Sequence, residues 1–182
     1  RSIKSGEEIH AMILEHHFRG TNTCLVANAL LDMYAKCGEL IKAQEVFDEL
    51  FIRDVVSWNS LITGFSQCEL DCEALTYFKR MQDEGMSPNL ITYICTLGAC
   101  GSLGSLEIGQ QIHSEVSKQG LMGKDIMLGT SLVDMYAKCG ILDKAREVFD
   151  GLPIRNIVSW NALIAGYAQH GFMNEALACF EQ

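Results

Sequence analysis

Cysteine, histidine and glutamate are the residue types in this chain that could hold a metal ion or transfer protons. The chain has eight cysteines and five histidines, but no Cys-x-x-Cys pair. His113 stands two residues before Glu115, which is the spacing of a zinc ligand and its general acid/base in nucleobase deaminases. That chemistry also needs a Pro-Cys-x-x-Cys motif, and neither Pro88 nor Pro153 is followed by cysteine. The sequence therefore predicts no catalytic zinc site and no cofactor.

Glycine and the remaining thiol and imidazole groups offer no other chemistry. The glycine pair at 101 and 104 lacks the Lys-Ser/Thr that cradles phosphate in a nucleotide-binding loop. Cys37 and Cys139 occupy equivalent places in a repeated segment, and we interpret both as small apolar fillers of a tight contact between helices. His10 and His113 also recur at one repeat position, which favours a structural role for both.

An internal repeat determines where the functional residues of the chain lie. Residues 32–59 and 134–161 share MYAKCG, EVFD and VSWN at a constant offset of 102 residues. An offset held without drift is the signature of a repeat architecture, in which each unit is one supersecondary element.

The apolar spacing within each repeat predicts pairs of helices. One helix is expected over 5–17, and pairs are expected over 26–36 and 40–50, 56–67 and 71–84, and 91–100 and 105–119; residues 126–182 copy the first two pairs. Gly38 is expected to end a helix with a positive φ, and Trp58 and Trp160 are interpreted as packing anchors. Because one hairpin cannot bury both apolar faces, stacked hairpins should share a core. Its predicted members are Leu30, Tyr34, Phe47, Leu61, Phe65, Leu75, Phe78 and their equivalents 102 residues later.

Charge and hydropathy limit the partners. The formal net charge is −9, whereas nucleic-acid binding normally needs a basic surface. However, the predicted first helices of the pairs carry only Asp32, Lys36, Asp134 and Lys138, whose charges sum to zero. No apolar run approaches the ~18 residues of a membrane span, so no membrane partner is expected. The sequence begins without Met and without a targeting composition, and we expect it to be an internal fragment.

The motifs VSWNxLIxG, MYAKCG, AxxVFD and GxxIHxxxxKxG resemble those of the pentatricopeptide repeat (PPR) family, and in particular its plant PLS subclass, in which P, L and S motifs alternate. The units have 31, 35 and 36 residues, so the constant tetratricopeptide period of about 34 fits poorly. The resemblance covers the whole chain and implies an all-α fold, a right-handed α-solenoid superhelix of stacked helix-turn-helix motifs in one array. The expected motifs are a partial L motif (1–23), an S motif (24–54), a P motif (55–89), an L motif (90–125), an S motif (126–156) and a partial P motif (157–182).

The resemblance also implies sequence-specific binding of single-stranded RNA, with successive repeats reading successive bases from 5′ to 3′. In the family, the fifth residue of a repeat contacts the Watson–Crick edge, the last residue supports it, and the second residue sandwiches the base. The fifth and last places are filled here by Asn28, Asp54, Asn59, Asn89, Asp125, Thr130, Asn156 and Asn161. The second places are filled by Leu25, Val56, Ile91, Met127 and Val158, and the residues implied to contact phosphate are Lys36 and Lys138.

Each pair of fifth and last residues implies one base, and the implied footprint is 5′-U-Y-N-A-3′. The pairs resemble, in order, readers of uridine, of pyrimidines with cytidine favoured, and of adenosine: Asn28 with Asp54, Asn59 with Asn89, and Thr130 with Asn156. Ile94 holds the fifth place of the L motif, paired with Asp125. Isoleucine cannot hydrogen-bond a base edge, so whether this unit reads a base or only spaces the array stays open.

Purely structural roles for the same residues also stay open. Asn, Asp and Thr at unit boundaries are typical helix N-caps, and both roles can coexist at Asp54 and Asn156. Lys36 and Lys138 are equally typical of helix C-termini, where lysine complements the macrodipole. A helical-repeat scaffold for protein partners is the alternative function.

For the whole protein, the resemblance implies an organellar RNA-processing factor, active in C-to-U editing, splicing or stabilisation in a mitochondrion or chloroplast. RNA-editing cofactor proteins are then among its expected partners. No enzymatic activity is expected of the fragment itself. With so few phosphate contacts, it should bind RNA with modest affinity and a shallow salt dependence.

Overall fold

Helices make up the regular secondary structure of the described residues, which contain no strand. The structure is a computed structural model that describes Glu8, His10, Ala11 and residues 21–181. It divides into two compact units, Arg1–Thr92 and Tyr93–Gln182. Its helices are α1 (Thr21–Lys36), α2 (Leu40–Glu49), α3 (Val55–Gln67), α4 (Asp71–Asp83), α5 (Leu90–Leu103), α6 (Leu106–Lys118), α7 (Ile126–Lys138), α8 (Leu142–Asp150), α9 (Ile157–Gln169) and α10 (Met173–Phe180).

The first unit is built from two hairpins, α1 with α2 and α3 with α4, and α3 also packs against α1. The turn after α1 is closed at Gly38, which has a φ of 76°. There the Glu39 N–H donates to the Tyr34 carbonyl at 2.9 Å, in the Schellman arrangement that ends many helices. This confirms the predicted role of Gly38.

The second unit repeats this arrangement. Helix α7 packs against α6, α8 and α9, and α9 also contacts α8 and α10. Gly140 closes the turn after α7 with the same φ of 76°. The local geometry of the hairpin thus recurs at the offset seen in the sequence.

Two tryptophans anchor the junctions between hairpins, as predicted. The Trp58 side chain is 1% exposed, and its ring centroid lies 4.6 Å from that of Phe47. In the second unit, the centroids of Trp160 and Phe149 lie 4.5 Å apart. Edge-to-face contacts of this kind add stability beyond the area that they bury.

The close approach of paired first helices depends on glycine. A Cβ atom added at Gly64 in α3 would lie 2.7 Å from the Ala35 Cβ in α1, and one added at Gly166 would lie 2.5 Å from the Ala137 Cβ. A methyl group cannot be accommodated at either distance without moving a helix.

We expect Gly64→Ala to lower the free energy of unfolding by about 1 kcal/mol, because overpacking costs about 1–3 kcal/mol and outweighs the gain in helix propensity of about 1 kcal/mol. Chemical denaturation followed by circular dichroism measures this change. Gly98→Ala is the control, since a Cβ there meets no described atom within 4 Å, and it should be neutral or stabilising. If the two variants had equal stability, the helix approach at Gly64 would not be limiting.

Most of the predicted core is confirmed, and its exceptions have a physical cause. All seven predicted residues of the first copy are buried. In the second copy, Tyr167 is half-buried, and the prediction is wrong for Leu177 and Phe180, which are 59% and 77% exposed, because α10 is the last described helix and no described hairpin packs over it. The prediction for Cys37 is also wrong, since this residue is exposed on the turn after α1, whereas Cys139 is half-buried.

Helix bounds agree with the predicted ones to within a few residues. The largest differences are that α1 begins at Thr21 and that α5 continues through Gly101 to Leu103. The helix predicted over 5–17 lies outside the described residues apart from Glu8, His10 and Ala11, which are helical. In the described part of the chain, no helix combines the length and apolarity needed to cross a bilayer.

Candidate functional site

Exposed apolar side chains mark the start of every first helix. The residues concerned are Leu25 (71% exposed), Val56 (51%), Ile91 (53%), Met127 (66%) and Val158 (57%). Each lies three residues before a fifth-place residue, and positions i and i+3 share one helix face. An apolar side chain in water beside a polar one is an arrangement suited to holding a flat, partly polar ligand.

Asn28 and Asp54 form a hydrogen-bonded pair in the first unit. The Asn28 Nδ2 donates to both carboxylate oxygens of Asp54, at 3.1 and 3.2 Å. The Asn28 side chain is 8% exposed, and its Oδ1 has no hydrogen-bond partner among the described residues. Leaving a buried acceptor unpaired costs about 1–3 kcal/mol. This oxygen is therefore a candidate to accept a hydrogen bond from a donor group on a ligand.

Asp54 is at the same time the N-cap of α3. Its Oδ1 accepts from the backbone N–H groups of Val56 and Ser57, at 3.0 and 2.9 Å. The Cys24 thiol also donates to its Oδ2 at 3.3 Å. Burial would raise the pKa of the Asp54 carboxyl, but the hydrogen bonds from Ser57, Cys24 and Asn28 outweigh it, so this pKa lies below its usual value. The capping and pairing roles therefore coexist at Asp54.

Asn59 and Asn89 form the equivalent pair at the next junction. The Asn59 Nδ2 donates to the Asn89 Oδ1 at 3.0 Å. Here a third residue takes part, since the Thr92 hydroxyl donates to the Asn59 Oδ1 at 2.6 Å. Both atoms of the Asn59 amide are thus engaged, unlike those of Asn28.

In the second unit, Thr130 and Asn161 line an open cleft of about 440 Å³, a volume in the range of small-ligand pockets. The Thr130 side chain is 8% exposed, and its Oγ1 has no hydrogen-bond partner among the described residues. The second-place residue Val158 faces the same cleft. Its full lining is Gly98, Thr130, Ser131, Asp134, Val158, Asn161, Ala162 and Ala165.

The last-place residues of this unit act as N-caps. The Asn156 Oδ1 accepts from the Ser159 N–H at 2.9 Å, and the Asp125 Oδ1 accepts from the Leu128 N–H at 2.8 Å. No hydrogen bond joins Asn156 to Thr130 among those described. Ile94 is half-buried. The structure therefore joins fifth and last residues at two junctions, and at the others it leaves them apart.

The lysines of the first helices, Lys36 and Lys138, are each held in an ion pair on their own helix. The Nζ atoms of Lys36 and Lys138 lie 2.7 Å from carboxylate oxygens of Asp32 and Asp134, one helical turn earlier. Exposed pairs of this kind contribute little to stability. Both lysines are exposed, so they can exchange the carboxylate for a phosphate.

The histidines and cysteines have structural surroundings. The His113 Nδ1 lies 2.9 Å from the Tyr136 hydroxyl, and His10 contacts Tyr34 at the equivalent place, with ring centroids 5.9 Å apart. Burial and nearby Lys144 lower the pKa of His113. No disulfide joins the eight cysteines, all of which are described, and the described residues contain no cluster of His, Cys, Asp or Glu able to hold a metal ion.

Thr92 is the site residue that sequence reasoning missed. The signal that could have found it is a hydroxyl residue three places after three of the four last residues, at Ser57, Thr92 and Ser159. At Ser57 and Ser159 the hydroxyl completes a capping box. Only the hydroxyl of Thr92 also reaches a fifth-place side chain among those described.

Comparison with known families agrees with this geometry. The model of the PPR repeat family matches residues 53–102, and that of the PPR repeat matches residues 26–55, 130–157 and 158–182. The chain belongs to the PPR family.

Plant PPR proteins are similar to this PPR chain over nearly its whole length. A putative mitochondrial pentatricopeptide repeat-containing protein of Arabidopsis thaliana is 43% identical over 96% of the chain, and a chloroplastic one from the same plant is 42% identical over 100%. The chain spans 27% and 24% of the length of these two relatives.

Solved PPR structures share the fold. The maize protein PPR10 in complex with an 18-nt psaJ RNA element matches 97% of this chain and 26% of its own length, with a TM-score of 0.75 and 20% identity. The PPR domain of Arabidopsis protein-only RNase P 1 in complex with tRNA matches 86% of this chain and 88% of its own, with a TM-score of 0.66 and 17% identity. The predicted all-α solenoid fold of stacked hairpins is confirmed.

Proposed function

We propose that the chain binds single-stranded RNA and that each fifth-place side chain reads one base. The observation that carries this proposal is a pair of buried oxygens, Asn28 Oδ1 and Thr130 Oγ1, that have no hydrogen-bond partner among the described residues and stand at fifth places. Each lies beside an exposed apolar residue, Leu25 or Met127, on the same helix face. A base sandwiched by the apolar side chain would bring its edge to the unsatisfied oxygen.

The polarity of the first pair favours uridine. The Asn28 Nδ2 donates one hydrogen to Asp54 and the other to the Cys24 Sγ at 3.7 Å, so the group that Asn28 has left for a base is the acceptor Oδ1. Uracil presents an N–H donor at N3, whereas cytosine presents a lone pair there. Each such match carries about 1–3 kcal/mol of discrimination by analogy with base contacts in DNA. The proposed footprint is 5′-U-Y-N-A-3′, with Thr130 reading the adenosine and the unit of Ile94 reading no base.

Contacts with phosphate should contribute little to the affinity for RNA. Lys36 and Lys138 are the cations of the described first helices, and both are paired with carboxylates. Two phosphate contacts would give a salt slope near 1.4 for a single strand, taking about 0.7 per contact. We therefore propose a modest affinity with a shallow salt dependence.

The whole protein is proposed to be an organellar RNA-processing factor of the PLS subclass. Its relatives are named mitochondrial or chloroplastic, and two structural neighbours were solved with RNA. C-to-U editing, splicing and RNA stabilisation are its proposed activities, with editing cofactor proteins as partners. On this view the present chain supplies RNA binding, and any catalytic group comes from elsewhere.

The test is a fluorescence-anisotropy titration at low salt with an unstructured RNA containing UCAA, one example of the U-Y-N-A order, against an RNA with these four bases scrambled. We expect the matched RNA to bind at least tenfold more tightly, and Asn59→Ala to remove part of this preference. Asn174→Ala, in exposed α10, is the matched control and should leave it intact. Equal binding of both RNAs would reject base reading, and the absence of RNA binding would favour the protein scaffold.

A further inference from the structure

The hydrogen bonds around Asn59 fix which way its amide points. The Asn89 Oδ1 accepts from the Thr92 backbone N–H at 3.2 Å, and a backbone N–H can only donate. An oxygen must therefore stand at that position of Asn89. The group of Asn59 that lies 3.0 Å from this oxygen must in turn be the Nδ2 donor.

The Asn59 Oδ1 then faces Thr92, whose hydroxyl donates to it at 2.6 Å. Thr92 is 1% exposed and Asn59 is 8% exposed, so this contact is shielded from water. An amide oxygen can accept two hydrogen bonds, and the hydroxyl supplies one, so the Asn59 Oδ1 is not left unpaired as the Asn28 Oδ1 is. Among the described hydrogen bonds, the unpaired group of Asn59 is the second hydrogen of Nδ2, which is a donor.

The preceding junction has no equivalent hydrogen bond to its fifth-place asparagine among those described. Ser57 stands where Thr92 does, but its hydroxyl bonds to the Asp54 carbonyl and Oδ1, at 2.9 and 3.1 Å. The Asn28 Oδ1 has no partner among the described residues. Two asparagines at the same repeat position thus present opposite hydrogen-bonding groups, an acceptor at Asn28 and a donor at Asn59.

We propose that Thr92 determines the base read at Asn59: its hydroxyl satisfies the Asn59 Oδ1 and leaves Nδ2 as the group offered to a base, so that the second base of the footprint is cytidine rather than uridine. Cytosine N3 accepts a hydrogen bond where uracil N3–H donates one. Thr92 acts through Asn59 and does not touch the base, so it is a positioning residue. This inference rests on the proposed RNA-binding function.

The test compares the affinities of the chain for RNAs containing UCAA and UUAA. We expect the wild-type chain to prefer cytidine at the second base about fivefold or more, and Thr92→Val to reduce this preference to within about twofold or to reverse it. Thr92→Ser keeps the hydroxyl and should keep the cytidine preference. The preference for uridine at the first base should be the same in all three proteins.

The outcomes separate this inference from the function on which it rests. If wild type binds RNA but Thr92→Val keeps the full cytidine preference, the role of Thr92 is overturned and RNA reading stands. If wild type binds neither RNA, the proposed function itself fails. Circular dichroism checks that the variants are folded, and Thr92→Ala replaces Thr92→Val if the valine variant does not fold.

Discussion

Replacing Phe47 with alanine is expected to lower the free energy of unfolding by about 3–5 kcal/mol, the usual cost of deleting a buried phenyl ring. The Phe47 side chain is fully buried. Its ring meets Trp58 edge to face, with centroids 4.6 Å apart, and Tyr77, with centroids 5.9 Å apart. The Arg53 guanidinium lies 4.9 Å from its centroid. The deletion leaves a cavity between α2, α3 and α4.

Phe51 offers a matched control for this loss, since it lies four residues away in the chain and is 98% exposed. Phe51→Ala should change stability by no more than about 0.5 kcal/mol. Denaturant unfolding of the wild type and both variants, followed by circular dichroism, measures the difference. Similar losses in both variants would mean that the aromatic junction does not hold the hairpins together.

Replacing Asp54 with asparagine is expected to change the preferred first base from uridine towards cytidine with little loss of stability. Asn and Asp cap helices about equally well, and Asn156 closes the same capping box in the second unit. The carboxylate that holds the Asn28 Nδ2 would become an amide. Its oxygen would stay at the N-cap, and its nitrogen would face Asn28. The Asn28 amide would then turn its oxygen to this nitrogen and offer its own Nδ2 to the first base, where cytosine N3 can accept it.

Anisotropy titrations with RNAs containing UCAA and CCAA measure the change. We expect the ratio of the two dissociation constants to move towards cytidine by about tenfold or more, from the usual value of a base contact. Asp83→Asn removes the same charge at an exposed site at the end of α4, away from the first helices, and should leave the ratio as it is. If Asp54→Asn bound RNA with the wild-type ratio, the pair of Asn28 and Asp54 would not read the first base.

The helices and turns could be predicted from the sequence because the apolar periodicity within each segment and the repeat of 102 residues give the same boundaries. The period of apolar residues places each helix, Gly38 marks a turn that needs a positive φ, and the constant offset transfers both to the second copy. Burial of Phe47 and Trp58 followed from the same pattern, because a hairpin must cover its apolar faces. Where the pattern failed, at Leu177 and Phe180, burial depended on a neighbour that the described helices do not provide.

The chemistry of the site was less predictable, because it depends on side-chain geometry. Residue types alone allow Asn28 and Asn59 to present the same groups to a ligand. The difference arises from hydrogen bonds that span about 30 residues, from Asp54 in one case and from Thr92 in the other. The pairing of Lys36 with Asp32 likewise depends on rotamers, although their i, i+4 spacing permits it.

A single-base substitution scan of the RNA tests one-base-per-repeat reading most directly. Each position of UCAA is changed in turn to the other three bases, and the dissociation constant of the wild-type chain is measured at fixed salt. We expect changes at the first, second and fourth positions to weaken binding, and changes at the third position, opposite the unit of Ile94, to have no effect. Equal losses at all four positions, or no loss at any, would contradict modular reading by Asn28, Asn59 and Thr130.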